Sequence, residues 1–267
     1  MKFLGVRIKD PSLLLLIGRF LKAGFVEADR YVAGDEGVPQ GGNLSPVLSN
    51  IFLHYVLDLW FEKKIKPQMR GECHLVRYAD DFIVMVRYAD EAKIIAEALR
   101  ERFAKFGLEL HPDKTRVISF GRYESENAKG QNRKANTFDF LGFTHYCGRS
   151  RKGTFLLGRK TSRKRFRKKC QAMEKWLKAI RNAKQVKEWW PTLKAKLTGH
   201  YQYYGVSGNC RSIRRFSNAA RRMTLKWLNR RSQKKSFSRE GFQEYLNRYP
   251  LPKPQITHNF YTLSLGT

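Results

Sequence analysis

Residues 74–86 read HLVRYADDFIVMV. Two runs rich in β-formers, 74–78 and 82–86, flank Ala79-Asp80-Asp81, the pattern of a tight antiparallel hairpin. The second run is continuously apolar, which predicts a strand buried on both faces. Aspartate is depleted in strands. Two of them between apolar runs would be costly if buried without a counter-charge. Two resolutions exist: an exposed hairpin tip where they are simply solvated, or a bound cation.

Outward from the hairpin the periodicity becomes helical. Downstream, Ala92, Ile95, Leu99, Phe103 and Phe106 recur at helical spacing and stop at Gly107. Short β runs follow at 108–110 and 116–120, and FDFLGFTHYC at 138–147 reads as a second hairpin. Upstream, Ser45-Pro46 opens a helix with Leu48, Ile51, Phe52, Tyr55, Val56 and Leu59 on one face, a stripe wide enough to pack on a sheet. A turn-rich stretch, 33–42, precedes it. Before that, Asp10 caps a helix that enters at Pro11, shows Leu13, Leu16, Ile17, Phe20 and Leu21, and stops at Gly24. Helix, helix, hairpin, helix, strand is the order of an α+β layer with antiparallel pairing.

The 267 residues carry 53 Lys and Arg against 23 Asp and Glu, a net charge of +30. Residues 1–120 hold 18 basic and 16 acidic side chains; residues 121–267 hold 35 and 7. The switch falls near 121–134. Beyond it, Phe166, Cys170, Met173, Leu177 and Ile180 fall at spacings of 4, 3, 4 and 3. Ile213, Phe216, Ala220, Met223 and Trp227 follow at 3, 4, 3 and 4. Basic residues fill the other faces, so this part reads as a small helical bundle with a cationic coat. The aromatic-rich stretch between, 189–204, is helical in part.

These features exclude several classes. With 13% aromatic residues the chain is no disordered basic tail. Its four cysteines are widely spaced, without the paired spacing of a zinc knuckle or a disulfide framework, so reduced thiols are expected. No apolar run exceeds five residues, which argues against a membrane-spanning helix. No targeting signal opens the chain, and a cytoplasmic location of bacterial or organellar type is expected. A strongly basic half favours a polyanion, foremost nucleic acid.

The chemistry follows from combining the two halves. A hard divalent ion such as Mg²⁺ is bound by one or two carboxylates together with phosphate oxygens and water. Two such ions about 4 Å apart activate an attacking hydroxyl and stabilise a leaving pyrophosphate. Asp80-Asp81 beside a basic module therefore points to phosphoryl transfer on a nucleic acid. Lys and Arg across 159–187 and 211–235 are spaced to follow phosphates. Trp189, Trp190, Tyr201, Tyr203 and Tyr204 are read either as base-stacking groups or as core.

Tyr78-Ala79-Asp80-Asp81 resembles the Y-x-D-D hairpin of reverse transcriptases. GVPQGGNLSPVLSNI at 37–51 is similar to the P-Q-G-G-x-x-S-P-x-L-x-N motif of group II intron reverse transcriptase/maturases. FDFLGF at 138–143 resembles that family's F-x-F-L-G-F hairpin, and LTGHYQYYGVSGN at 197–209 and WLNRRSQKKSF at 227–237 resemble its thumb, or maturase-specific region. The resemblance implies an α+β fold: a partial right-hand polymerase palm over 1–147, a basic helical thumb/maturase module over 148–232, and a C-terminal tail over 233–267. It implies that Asp80 and Asp81 are catalytic and hold Mg²⁺ in a two-metal site. Tyr78, Ala79, Pro39, Gln40, Gly41, Gly42, Leu141 and Gly142 would contact nucleotide or primer. RNA would meet Arg163, Lys164, Arg165, Arg167, Lys168, Lys169, Arg214, Arg215, Arg221, Arg222, Arg230 and Arg231. The implied partners are structured intron RNA or an RNA template, a DNA primer and dNTPs, and the implied activities are RNA-directed DNA synthesis, retrotransposition of a mobile element and help with splicing.

Such polymerases use a third carboxylate on a strand before the P-Q-G-G motif. Here the upstream acids are Asp10, Glu27, Asp29, Asp35 and Glu36, none in a buried strand pattern. The expectation is an N-terminally truncated or split protein whose fingers and third carboxylate come from another segment or chain. Alone it should not polymerise, and the open sheet edge beside the hairpin should favour association. The rival reading is a non-catalytic RNA-binding maturase remnant. A general basic scaffold accounts for the charge but for none of the motifs. The tail to Thr267 has no clustered histidines or paired cysteines, so no nuclease is signalled.

Overall fold

The computed structural model describes residues 1–22, 44–150, 152–231 and 236–261, and the backbone alone at 25–27 and 30–32. The chain forms two compact units, Met1–Ile118 and Ser119–Thr267. Both mix helices with antiparallel sheet. No helix among the described residues is long and apolar enough to cross a membrane.

In the first unit come α1 (Lys2–Gly5), α2 (Pro11–Lys22), the short pair β1 (Phe25–Glu27) and β2 (Arg30–Val32), α3 (Ser45–Leu53), β3 (Cys73–Tyr78), β4 (Asp81–Val86) and α4 (Ala89–Ala104). Asp10 caps α2 as its position predicts: its carboxylate accepts from the backbone N–H of Ser12 at 2.8 Å. Gly24, the expected stop, lies outside the described residues.

The core of this unit joins Val56, Leu57, Phe61 and Ile65 to Cys73 of β3 and to Ile95, Leu99 and Phe103 of α4. Leu57 and Phe61 were not on the face expected from a regular helix. After α3 the chain widens into π-helical turns, His54–Asp58 and Phe61–Ile65, with bonds to the fifth residue on. The wider turn brings residues four apart, 57, 61 and 65, onto one line, and Leu59 is half-buried outside this cluster.

Two strand expectations are corrected. Residues 108–110 and 116–120 form no ladder; Leu108 and Leu110 instead pack on the first core as extended chain. Strand β4 is covered on one face only. Phe82, Val84 and Val86 face the core, while Met85 is 48% exposed. The reason is topological: among the described residues β3 and β4 form a two-stranded sheet, and the core residues pack against the face that carries Phe82, Val84 and Val86.

The second unit holds α5 (Glu124–Gly130), a sheet ordered β5 (Thr137–Phe140), β6 (Phe143–Arg149), β7 (Phe155–Thr161), and then α6 (Arg163–Ala183), α7 (Val186–Tyr204), α8 (Cys210–Leu228) and α9 (Arg239–Arg248). The predicted apolar lines of α6 and α8 are the ones buried: Met173 and Leu177 meet Ile213, Phe216, Ala220 and Trp227. The 138–147 hairpin, grouped by sequence with the first part, belongs to this unit, because Phe143 packs on Tyr203 and Tyr204 of α7. Strand β7 pairs Gly158 with Tyr146, whose ring occupies the space a side chain at 158 would need. Residues 239–261, read as part of a tail, are integral. Phe242, Leu246 and Leu251 enter the core, and the backbone N–H groups of Thr257 and His258 donate to the Gly205 carbonyl at 2.7 and 3.0 Å.

One buried charge holds the entry to this sheet. Glu124, its side chain fully covered, accepts from Arg133 at 2.6 Å and from the Asn136 backbone at 2.8 Å. The Arg133 guanidinium, with the Asn136 N–H, draws its carboxyl from the usual 4.5 down to about 2. A depressed carboxyl stabilises the fold above its unfolded value and ceases to do so as pH falls toward the folded one. Glu124→Gln should therefore cost roughly 2–3 kcal/mol at neutral pH. Thermal melts of mutant and wild type should converge as pH drops from about 4.5 to about 2. A gap that stays constant through that window would show that the pair contributes no such linkage.

Candidate functional site

Strands β3 and β4 pair from Cys73 with Val86 to Tyr78 with Asp81, leaving Ala79 and Asp80 as a two-residue connection. Ala79 takes φ 53°, the left-handed region that lets so short a loop follow the twist of its strands. Tyr78 stands opposite Asp81 and is 65% exposed. Asp80 and Asp81 are exposed, and their carboxylates make no hydrogen bond or ion pair among the described residues. Of the two resolutions the sequence leaves open, the exposed tip is thus the observed setting, and it does not exclude the other. Two adjacent hard-oxygen donors, open to solvent and not neutralised, suit a divalent cation such as Mg²⁺ as a partial ligand set.

A third ligand is not beside them: no cluster of three metal-binding side chains occurs among the described residues. Asp10 is used as a cap. Asp29, Asp35 and Glu36 lie outside the described residues, as do Pro39, Gln40, Gly41 and Gly42.

Sequence reasoning missed the residues that support the hairpin. Arg77, with a side chain only 12% exposed, donates Nε and Nη2 to the two carboxylate oxygens of Asp58 at 2.7 and 2.6 Å. Its Nη1 donates to Asn50 Oδ1 at 2.9 Å and to the Ala79 carbonyl at 2.8 Å. Burial opposes ionisation of Asp58, but the Arg77 hydrogen bonds and charge outweigh it and lower its pKa. Alternation with Cys73 and Leu75 was the available signal, since it turns Arg77 toward the core face, where a cation needs an acid.

In the second unit, Leu141 and Gly142 form the tip between β5 and β6 with φ 48° and 82°, both positive as a type I′ turn requires. The Tyr203 hydroxyl donates to the Leu141 carbonyl at 2.8 Å. A Cβ on residue 142 would sit 3.1 Å from the Tyr204 hydroxyl, so Gly142 is needed for space as well as for φ. Tyr201, Tyr204, Trp189 and Trp190 are core residues and are removed from the base-stacking candidates. Tyr203 alone is open, at 55% exposed.

The cationic residues are where the periodicity puts them. Arg163, Lys164, Arg165, Arg167, Lys168 and Lys169 are exposed along the start of α6, and Arg214, Arg215 and Arg222 along α8. Arg221 and Arg231 are half-buried, and Arg230 lies over the Trp227 ring. None of these twelve forms an ion pair among the described residues. Phe166, Arg215, Asn218, Ala219 and Arg222 line an open cleft of about 270 Å³ between α6 and α8.

The sequence is similar to those of known proteins. The family described as reverse transcriptase (RNA-dependent DNA polymerase) matches residues 6–145. The chain is 31% identical over 147 residues to protein YkfC of Escherichia coli (strain K12), covering 44% of this chain and 38% of that one. It is 29% identical over 133 residues to the group II intron-encoded protein LtrA of Lactococcus lactis subsp. cremoris, covering 46% and 22%. To the telomerase reverse transcriptase of Mus musculus it is 28% identical over 112 residues, covering 42% and 9%. The matches thus span well under half the length of each relative.

Proposed function

Because the chain belongs to the reverse transcriptase family, and is by family an RNA-directed DNA polymerase, we propose that it supplies the palm and thumb of a group II intron reverse transcriptase/maturase. The observation that carries this reading is the pair of exposed carboxylates, Asp80 and Asp81, at the tip of an antiparallel hairpin with no counter-charge of their own. Asp80 and Asp81 would hold Mg²⁺ together with a third oxygen donor from outside the described residues. Bound there, Mg²⁺ would supply Lewis-acid activation of a primer hydroxyl and charge neutralisation at a leaving pyrophosphate. Tyr78 borders the incoming nucleotide, and Pro39, Gln40, Gly41 and Gly42, which lie outside the described residues, would contact it as the motif's resemblance implies. Leu141 and Gly142 hold the primer strand. The twelve basic residues on and after α6 and α8 grip template and structured intron RNA.

The test is incorporation of labelled dNTPs on an RNA template by this chain complemented with an N-terminal fingers/palm segment of a relative. Mg²⁺-dependent synthesis supports the proposal. Tight RNA binding and splicing assistance without any synthesis would favour the alternative, a non-catalytic maturase.

Either reading rests on phosphate contacts, and these have a measurable signature. With six to ten contacts, affinity for RNA should fall by about 10³–10⁵ between roughly 50 and 200 mM salt. Changing Arg167, Lys168 and Arg222 together to alanine should flatten the log–log salt slope by about one for each phosphate left without its cation. An unchanged slope would remove α6 and α8 from the RNA interface.

A further inference from the structure

We propose that Arg77 is a positioning residue for the carboxylates, locked in place by Asp58 and Asn50. The proposal rests on Asp80 and Asp81 binding a divalent ion, and its test separates the two claims. Four hydrogen bonds leave one guanidinium in three directions: two to Asp58, one to Asn50 and one to the carbonyl of Ala79. That carbonyl belongs to the planar peptide unit that continues into Asp80. Fixing its direction fixes where Asp80 leaves the turn.

The turn needs such support. Ala79 sits at φ 53°, a region unfavourable for a residue with a Cβ, and the hairpin tip is otherwise exposed. An arginine fork can meet a carboxylate with two parallel bonds while a third nitrogen reaches elsewhere; a lysine, as a point charge, cannot. Asp58 has a second effect. It neutralises the partly buried cation of the hairpin, so that Arg77 braces the turn without offering its charge to Asp80 and Asp81. Asn50 ties the brace to α3, which gives the last residue of the S-P-x-L-x-N motif a physical task.

The experiment uses the full 267-residue chain, labelled with ¹⁵N, and follows Mn²⁺-induced broadening of the hairpin amides, with circular dichroism reporting folding. Asp80→Asn should abolish the broadening. Arg77→Lys should weaken Mn²⁺ binding about tenfold in a folded chain. Asp58→Asn should weaken it at least as much, because the freed guanidinium then competes for the aspartates. Removing both charges together, Asp58→Asn with Arg77→Met, should bind Mn²⁺ better than Asp58→Asn alone; a merely structural pair would make the double variant no better. Asn50→Ala breaks a single exposed bond, so it keeps the test available should the others unfold, and a loss of about threefold is expected. If Asp80→Asn abolishes binding while the Arg77, Asp58 and Asn50 variants bind as wild type, the positioning proposal is overturned and the metal reading stands. If Asp80→Asn binds as wild type, the metal reading itself fails.

Discussion

Asp80→Ala should lower template-directed DNA synthesis by the complemented chain about 10²–10⁴-fold while RNA affinity stays within about twofold. The size follows from what the carboxylate would do. It would hold charge that stabilises the transition state by several kcal/mol, and each ~1.4 kcal/mol is tenfold in rate. The selectivity follows from position: Asp80 is at the tip of the β3–β4 hairpin in the first unit, and the twelve candidate RNA-binding cations are in the second. Removing a negative charge also cannot weaken attraction to a polyanion. Steady-state synthesis on a primed RNA template, with filter binding on the same RNA, reads both quantities. A loss of RNA binding equal to the loss of synthesis would mean that the substitution acts through folding, and unchanged synthesis would remove Asp80 from the chemistry.

The second large effect is on stability. Asn209, 1% exposed, ends the 197–209 motif and is bonded at every side-chain atom that can reach a partner. Its Oδ1 accepts from the Thr161 N–H at 2.8 Å, and its Nδ2 donates to Thr161 Oγ1 and to the Tyr204 carbonyl, both at 2.9 Å. It thereby ties the end of β7 to the end of α7. Asn209→Ala would leave the buried Thr161 N–H without a partner, while the Tyr204 carbonyl keeps the Val206 N–H at 2.8 Å. The unpaired N–H costs about 1–3 kcal/mol and the two lost amide donations about 1 kcal/mol each, so with the small cavity the loss should be about 3–5 kcal/mol. Against a typical total of about 5–15 kcal/mol, that should lower the melting temperature of the second unit by about 10 °C or more. Asn229, which makes two comparable bonds to the backbone of Phe237 in a half-buried setting, is the comparison. Its alanine variant should lose less than half as much, because water can replace what is lost. Equal losses at the two positions would show that burial is not the cause.

The parts of this fold that sequence makes legible are those dictated by local chemistry. The hairpin at 74–86, the Asp10 cap and the apolar lines of α6 and α8 need only neighbours within a few residues. What stays hidden depends on distant partners. Strand β7 carries a glycine and two cations in FLLGRKT and has little intrinsic β character; the Tyr146 ring across the ladder supplies the missing bulk at Gly158. The Arg77–Asp58 pair shows the same limit within the candidate site. Each charge is conspicuous in its own apolar run, but only the π-helical widening after α3 brings the acid to the arginine. The third oxygen donor is a different matter, because the acids that might provide it fall outside the described residues.

The crowding of like charge on α6 and α8 has a consequence for the lifetime of the molecule. Rows of unpaired cations on packed helices repel one another and weaken the fold that carries them. A polyanion that binds only the folded form removes that repulsion and adds its own binding free energy to stability. If the proposed RNA contacts form, the bound molecule should therefore resist proteolysis better than the free one.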